Sequence, residues 1–473
     1  MNLRQPLFVA CILLLTFSPA PAQIRFSGTN HSEYSRNGSD DVQRQTAARR
    51  NFFDDWTEGN WDYRRWRLSL RLEMHNAPPV YAPDQSIIPA TLAHRFLEYN
   101  TGHFSLRAGN FYSLFGRGLT LRFYENRSLR HDNRLDGFKI EYLHARLDLK
   151  AIAAQPINRE NQRQDFFHAA ELKLKPFKPL HFGGALVSTR PAAQTRVNWG
   201  SLFSEINVKF GSLYAEYARE DNPLPSKNGD ALYLNSNVFA GAFSLLTEFK
   251  DYDRFEQFEG AFFNNPPLVA REHLYTLLNR RQLIQDADDE QGFLVEASYP
   301  LIKNGVATVN YNVTRNHRRE KKFQEYYGQL EWSPPGNLEW LGAVGRQEDP
   351  GARYLNFVNS AAIKISDYNS FKLVYEHQHT KRFLNDQQFY DQAVTLGFSH
   401  APTWTLSFLG ERTTEQHSSR NFWAALQLDM NLFNRCEWSL IAGSRRKGKV
   451  CVGGVCVIKP ELNGVETTLI VRF

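Results

Sequence analysis

The stretch Trp66-Arg-Leu-Ser-Leu-Arg-Leu-Glu-Met74 decides the fold, because apolar and polar residues alternate along it without a break. Successive side chains of a β-strand point to opposite faces, so such a strand has one apolar face and one polar face. The apolar row is Trp66, Leu68, Leu70, Leu72 and Met74, and the polar row is Arg67, Ser69, Arg71 and Glu73. The length is about that of a tilted strand crossing a bilayer. The stretch therefore predicts a strand between lipid and water.

The same alternation recurs along the chain, for example over 146–153, 202–210 and 465–473. A half-buried strand of a soluble sheet alternates in the same way, so one segment proves little. Roughly twenty such segments without a long helix between them favour a barrel. Full charges on the second face suit a water-filled lumen and would be costly inside a sandwich. We predict an all-β fold: a single large antiparallel transmembrane β-barrel of roughly 18–22 strands, formed by one domain over 23–473.

Composition supports this interpretation. Mean hydropathy is −0.50, although Phe, Trp and Tyr make up 14% of the residues. Beyond the N-terminus no run approaches 18 consecutive apolar residues, which excludes helical membrane spans. The 56 basic and 50 acidic side chains are interspersed and leave a formal charge of only +6. So small a net charge does not indicate binding to nucleic acid.

Both ends of the sequence carry address signals. Arg4, the apolar stretch 7–17 and Ala20-Pro21-Ala22 predict a signal peptide over 1–22 that is cleaved before Gln23. The alternating final segment ends on Phe473. This terminal aromatic resembles the insertion signal that is read by the barrel-insertion machinery of Gram-negative bacteria. We therefore expect the cell outer membrane as location, with that machinery and outer-membrane lipid as partners.

Two of the cysteines fall in a hairpin pattern. Cys451-Val-Gly-Gly-Val-Cys456 places Gly453-Gly454 where a two-residue turn needs them. Cys451 and Cys456 then form a non-hydrogen-bonded pair about 4.5 Å apart between Cα atoms. A disulfide bridges such a distance, and the periplasm is oxidising. We predict a Cys451–Cys456 disulfide in the last extracellular loop and give Cys436 no redox role.

An arginine-rich segment follows the flexible Gly116 and Gly118. Such a cluster is able to line a constriction that favours anions. The alternative is that these arginines pair with Glu125, Asp132 and Asp136 at a rim. The pore candidates are Arg117, Arg122, Arg127, Arg130 and Arg134.

A second segment runs from Asn264 to Arg280. Leu274, Leu277 and Leu278 have helical spacing after the Pro266-Pro267 pair, which predicts a short helix in a long loop. The loop either folds into the lumen and narrows it or forms an external lid. Its candidate residues are Arg271, Glu272, His273 and Arg280.

Motifs for catalysis and metal binding are weak or missing. The sequence has neither a GxSxG nor an HExxH motif, and in the phosphate-loop spacing of 443–450 Val450 replaces the Ser or Thr that holds magnesium. His377 and His379 share one face of a strand, but no third ligand is identifiable. We predict no enzyme activity, no cofactor and no metal, with the His pair as polar lumen or interface residues.

Several of these motifs resemble one known family. The runs Gly109-Asn-Phe-Tyr112, Phe115-Gly-Arg-Gly-Leu119 and 132–137, together with 265–280, are similar to signatures of porin-like outer-membrane barrels. This family is found in Bacteroidota and related phyla and is known only as a domain of unknown function. The resemblance covers most of the mature chain and implies a barrel without naming a substrate.

Three function classes remain open. The favoured one is a porin-like channel for passive diffusion of small polar or anionic solutes. The second is a non-conducting barrel that scaffolds surface proteins. The third is an outer-membrane hydrolase, which needs a nucleophile and a base brought together at a barrel face. The oligomeric state is not indicated by the sequence.

Overall fold

The computed structural model describes most of the chain after the predicted signal peptide. It covers 24–38, 51–76, 88–127, 131–157, 166–189, 196–221, 228–255, 265–281, 283, 286–416, 418, 420–452, 455–459 and 461–473. The predicted signal peptide over 1–22 and Arg130 lie outside the described residues.

Thirty strands and one short helix make up the described part. The strands are β1 (Ile24–Asn37), β2 (Asn51–Tyr63), β3 (Trp66–Asn76), β4 (Ile88–Asn100), β5 (Phe104–Phe111), β6 (Ser113–Leu114), β7 (Arg122–Phe123), β8 (Glu125–Asn126), β9 (His131–Asp132), β10 (Leu135–Leu143), β11 (Leu147–Pro156), β12 (Phe167–Phe177), β13 (Leu180–Thr189), β14 (Val197–Val208), β15 (Gly211–Asp221), β16 (Asp230–Ala240), β17 (Phe243–Asp253), β18 (Asp289–Ile302), β19 (Gly305–Arg315), β20 (Lys321–Trp332), β21 (Leu338–Glu348), β22 (Ala352–Lys364), β23 (Asn369–Arg382), β24 (Gln388–His400), β25 (Trp404–Thr413), β26 (Phe422–Leu432), β27 (Cys436–Arg445), β28 (Gly448–Val452), β29 (Val455–Lys459) and β30 (Leu462–Arg472). The helix is α1 (Thr276–Asn279). Among the described residues, no helix is long and apolar enough to cross a membrane.

Twenty-four of the strands form one closed antiparallel barrel. Each pairs with its neighbours in chain order, β10 follows β5, β30 follows β27, and β1 closes the ring by pairing with both β2 and β30. The predicted fold class is therefore confirmed, but the number of strands exceeds the predicted 18–22. Some turns are hard to recognise in the sequence because residues that are neither Gly nor Asn adopt left-handed φ angles in them, as at Arg64 (54°) and Phe433 (56°). These positions lack the glycine that marks such a turn.

Short and long connections alternate between the two ends of the barrel. Turns such as Arg64–Arg65 and Lys303–Asn304 lie at one end, here called the turn end. The long segments between β5 and β10 and between β17 and β18 start from the other end, here called the loop end. In bacterial outer-membrane barrels the short turns face the periplasm and the longer loops face outward. The loop end is thereby assigned to the cell exterior.

The predicted alternation is confirmed in the register of the strands. In β3, Leu68 and Leu72 are 40% and 52% exposed on the outer face, whereas Ser69 and Arg71 are buried on the inner face. The final strand β30 seals the ring near Phe473, whose backbone N–H and carbonyl both bond to Gly28, at 3.0 and 2.7 Å. The Phe473 ring packs against Phe26 on the outer face, with ring centroids 5.7 Å apart. Its role as an insertion signal stays a prediction.

The cysteine hairpin has the predicted backbone register. Strands β28 and β29 pair Val452 with Val455 and Cys451 with Cys456. The side chains of these cysteines lie outside the described part, so the disulfide stays a prediction. Cys436 is a free thiol at the start of β27.

Candidate functional site

The inner face of the barrel is polar and carries buried charges. Glu171, Glu216, Glu325 and Asp391 each expose 5% or less of their surface and all point inward from different strands. Lys250 and Glu290 are completely buried and form an ion pair with each other. A buried charge requires a partner, and many of the partners come from two long segments that fold into the lumen.

The first segment, residues 112–134 between β5 and β10, is here called the arginine loop. Its apolar side chains Phe115, Leu119 and Leu121 have no exposed surface. They join a cluster with inward residues of the wall, including Trp199 of β14 and Tyr252 of β17. The arginine loop therefore lies inside the barrel.

Carboxylates of the wall hold the tip of the arginine loop through its backbone. The Gly116 N–H donates to Glu171 of β12 at 2.6 Å, and the Arg117 N–H donates to Glu216 of β15 at 2.8 Å. Gly116 has φ of +50°, and a Cβ placed there would lie 2.5 Å from the Glu216 carboxylate oxygens. Glycine adopts this backbone angle without strain, and any other residue would also have to displace the Glu216 carboxylate.

The predicted pore arginines have two different environments. Arg117 stacks on Tyr214 and Arg122 on Tyr124, each with its guanidinium carbon 4.9 Å from the ring centroid. Arg122 also donates to the Asn265 carbonyl at 3.3 Å. Within the described part of the chain, neither guanidinium lies within ion-pair distance of a carboxylate.

Arg127 and Arg134 instead form ion pairs, as the rim alternative expected. Arg127 lies 3.1 Å from Glu125, and the fully buried Arg134 lies 2.5 Å from Asp132. The third carboxylate of that alternative, Asp136, faces Arg95 at 3.5 Å. A role in anion selectivity stays a prediction for all of the predicted arginines.

Arg71 of β3 organises this region, and sequence analysis did not single it out. Its guanidinium meets Glu73 at 2.9 Å, Glu125 at 2.8 Å and Asp132 at 3.3 Å. Burial by itself would raise the pKa of Asp132, but Arg134 and Arg71 lower it below its usual value. Asp132 thus stays ionised and ties the arginine loop to β3. In the sequence, Arg71 stands out only as one of the polar residues that alternate with apolar ones in β3. Many other polar residues of the chain occupy such positions.

The second segment, residues 254–288 between β17 and β18, is here called the helix loop. The predicted short helix is present as α1, and its Leu277 and Leu278 are 1% and 0% exposed. Leu278 packs with Tyr327, Ala343 and Val358 of the inner wall. These contacts place the described residues around α1 inside the lumen, while Leu274 of the predicted apolar spacing is 99% exposed.

Polar side chains of the wall fix α1 at both of its ends. Glu376 of β23 accepts the Thr276 and Leu277 N–H groups, at 3.1 and 2.7 Å. Gln378 donates to the Leu277 carbonyl and Gln347 to the Leu278 carbonyl, both at 3.0 Å. The otherwise unpaired groups of a short helix are thereby satisfied by strands about 70 to 100 residues away in the sequence.

Three of the four predicted residues of the helix loop bind the wall. Arg271 pairs with Glu296, and the His273 Nε2 lies 2.8 Å from Glu325. Arg280 lies 2.9 Å from Glu411 of β25. The fourth residue, Glu272, is exposed. The structure thus brings Arg271, His273 and Arg280 to one inner surface, separate from the predicted arginines.

The two loops meet at Asn265. Its N–H donates to the Gly118 carbonyl at 3.2 Å, and its side-chain amide donates to the Tyr124 hydroxyl at 3.2 Å. Together the loops contact inward residues on strands from β3 round to β25.

The histidine pair predicted as lumen or interface residues lies on the outer face of β23. His379 stacks on Tyr390 with ring centroids 4.8 Å apart, and His377 lies 5.3 Å from the same ring. Among the described residues, no group of three or more His, Cys, Asp or Glu side chains has the arrangement of a metal site.

Comparisons with known proteins agree with this architecture. The sequence over residues 4–326 and 352–473 matches a family of unknown function (DUF6029). No curated protein matches the sequence. Among solved structures, the P pilus usher (PapC) translocation pore is 10% identical, with a TM-score of 0.50 and coverage of 95% of this chain and 99% of that one. An E. coli P pilus tip assembly intermediate that contains PapC is 9% identical, with a TM-score of 0.56, over 97% of this chain and 62% of that one.

The chain belongs to this family of unknown function, since the match covers most of its length. The likeness to the two solved structures, at such low identity, concerns the fold alone. A closed antiparallel barrel of 24 strands with apolar side chains on its outer face is the architecture of bacterial outer-membrane barrels, which places the protein in the cell outer membrane.

Proposed function

We propose that the protein is a channel for passive diffusion of small polar or anionic solutes, and that its two inward loops set the bore. One observation carries the proposal: both loops are fixed inside the barrel to a polar wall. A circular barrel of 24 strands would be on the order of 45 Å across between backbones. An open lumen of this width would not discriminate between small solutes. A selective barrel therefore needs internal segments that narrow the lumen.

The contacts of the loops support a fixed constriction. Glu171, Glu216 and Glu376 each accept backbone N–H groups of a loop, and charge-assisted bonds of this kind are among the stronger ones in proteins. Loops held in this way keep the same path during diffusion of solutes. The bore is thus a structural property and needs no gating step.

Arg117 and Arg122 are the residues that best support a preference for anions. Their guanidinium groups lie over tyrosine rings, which hold a cation in place, and no carboxylate of the described residues forms an ion pair with them. Arg127 and Arg134 already face carboxylates. The anion preference is accordingly assigned to the first pair.

The test is the reversal potential of the purified, refolded protein in planar bilayers under a salt gradient. We expect discrete conductance steps with anion preference, and a shift toward no preference in the variant R117Q/R122Q. The matched control R219Q/R412Q removes two exposed cations whose strand neighbours Ala218 and Thr413 point inward, so both lie on the outer face, and it keeps the wild-type reversal potential. Steps without this dependence would retain the channel and remove the role of the two arginines.

A second candidate function, a sealed barrel that anchors surface proteins, is favoured by the apolar contacts of the loops. Phe115, Leu277 and Leu278 are buried to the degree of a protein core. A protein that folds into the bilayer and never conducts would support this second function and contradict the channel.

A further inference from the structure

A strip of cationic side chains lies on the outward face of the barrel at the loop end of β20–β25. We call it the basic patch; it consists of Lys321, Arg346, Arg353, Lys381 and Arg412. Arg346, Arg353 and Lys381 are 50%, 46% and 40% exposed, and Arg412 is also exposed.

The neighbours of these cations in the sequence show that they point outward. Gln347, Tyr354, Thr380 and Thr413 are 1–5% exposed and point into the barrel. Because side chains alternate along a strand, Arg346, Arg353, Lys381 and Arg412 point to the lipid side. Lys321 reaches the same surface, since its amine contacts Gln324 at 3.2 Å and pairs with Glu348.

The strand register makes the basic patch continuous. Glu348 stands opposite Arg353, and Arg353 stands opposite Lys381 on the next strand. Two like charges directly opposite each other in a strand pair destabilise a sheet. Anions beside the two cations lower this repulsion, and Glu348 and Asp386 each supply one such contact.

The carboxylates on this surface do not balance it. Glu348 lies 3.0 Å from Arg353 and 3.7 Å from Arg346 and also pairs with Lys321, so three cations share one carboxylate. Lys381 turns to Asp386 at 2.9 Å. Among the described residues these two carboxylates face five positive charges, so three of the charges have no carboxylate of their own.

The height of the basic patch matches the lipid headgroups. Outward aromatic residues lie on the same strands and are half exposed, namely Tyr326 at 50%, Phe357 at 43% and Tyr390 at 46%. Rings of this kind mark the membrane interface of outer-membrane barrels. The cations stand at this interface, on the side that faces the cell exterior.

Other parts of the outer face at the loop end carry negative charge. At the loop end of β16–β18, Asp253 stands opposite both Asp230 and Asp289. These three carboxylates are on the outward face, since their neighbours Ala231, Tyr252 and Glu290 are buried inside. The outward charge at the loop end thus differs in sign between these two sectors.

We propose that the basic patch binds the phosphate groups of an anionic glycolipid in the outer leaflet around the barrel. Arginine forms paired hydrogen bonds with phosphate, and Arg346 and Arg353 present two guanidinium groups beside Lys381. A phosphate between Arg353 and Lys381 removes the repulsion of the two opposed cations. The surface faces lipid at headgroup level, which makes a lipid the occupant that fits it.

The experiment is a calorimetric titration of the purified full-length protein in neutral detergent with diphosphorylated lipid A. We expect saturable binding that weakens roughly a hundredfold in R346Q/R353Q/K381Q, because each cation near an anionic lipid surface contributes a factor of about five. The control R219Q/K303Q/K364Q removes three exposed cations elsewhere and keeps wild-type affinity. Heat-modifiable gel mobility verifies that each variant is folded.

Three outcomes would overturn the proposal. They are equal affinity of the wild type and the patch variant, equal binding of dephosphorylated lipid A, and a patch-dependent dimer that forms without lipid phosphate. The last outcome would reassign the surface to contact between two copies of the chain. Conductance plays no part in this test, so its result is independent of the channel function.

Discussion

Gly116 turns the arginine loop directly beneath the carboxylate of Glu216, which also accepts the Arg117 N–H and the Tyr214 hydroxyl. In Gly116→Ala, the new methyl group displaces that carboxylate and the left-handed backbone costs a further 1 kcal/mol or so. We expect amide hydrogen exchange over 112–127 to be roughly fivefold faster or more. Mass spectrometry of exchanged peptides measures it.

Gly241 provides the matched control for this substitution. Its φ is +63°, and nothing lies within 4 Å of a Cβ placed there. Gly241→Ala carries the same backbone cost without a collision and should alter exchange only in its own turn. Equal exchange of the arginine loop in both variants would contradict the contact with Glu216.

Glu376 is the residue on which α1 depends. In Glu376→Gln, an amide NH₂ replaces one acceptor and faces a backbone donor, at a cost of about 1–3 kcal/mol. We expect exchange at Thr276 and Leu277 to rise tenfold or more, measured by the same method. Glu339→Gln, an exposed carboxylate paired with Lys364, serves as control and leaves α1 unchanged. An unaffected helix in E376Q would mean that apolar contacts alone hold it.

At the scale of single residues, the sequence was sufficient to predict several of the residues that are buried or charged. It was not sufficient to predict which residues they contact. The spacing of Leu277 and Leu278 was enough to predict the helix, and both are buried. Its direction into the lumen was not predictable, because its acceptor Glu376 lies 100 residues further along the chain. Arg134 was expected among acidic neighbours, but Arg71, which binds the same carboxylate of Asp132, lies 61 residues before Asp132 in β3.

Among the elements, strands β3 and β30 were predictable because each alternates without interruption and has one lipid face. The count was too low, since turns at Arg64 and Phe433 use non-glycine residues in left-handed conformations. The positions of such turns become clear only from the pairing of the strands on either side of them. The sequence thus determined the type of element more securely than its ends.

The hairpin of β28 and β29 gives a prediction at the scale of one element. Its register puts Cys451 opposite Cys456, so we expect a disulfide in protein isolated from the membrane. Peptide mapping without reduction should find one peptide pair linked through these residues, with Cys436 unlinked. Cys451→Ser removes the link and leaves Cys436 unchanged. Free thiols at both positions in protein from an oxidising compartment would contradict the prediction.

For the whole molecule, the barrel and its two inward loops have separable roles. The wall is a closed ring of 24 strands whose pairing does not involve the helix loop. Replacing residues 265–283 with a short Gly-Ser linker should therefore leave the barrel folded. It removes Arg271, His273 and Arg280 from the inner wall and frees carboxylates such as Glu325 and Glu411.

The most direct test of the channel is single-channel conductance of the wild type and of this loop replacement in planar bilayers. We predict small discrete steps for the wild type and several-fold larger steps for the replacement, because the helix loop narrows the lumen. Equal steps in the two proteins would contradict the role of the loop. No steps from either protein, when both are folded in the bilayer, would contradict the channel itself.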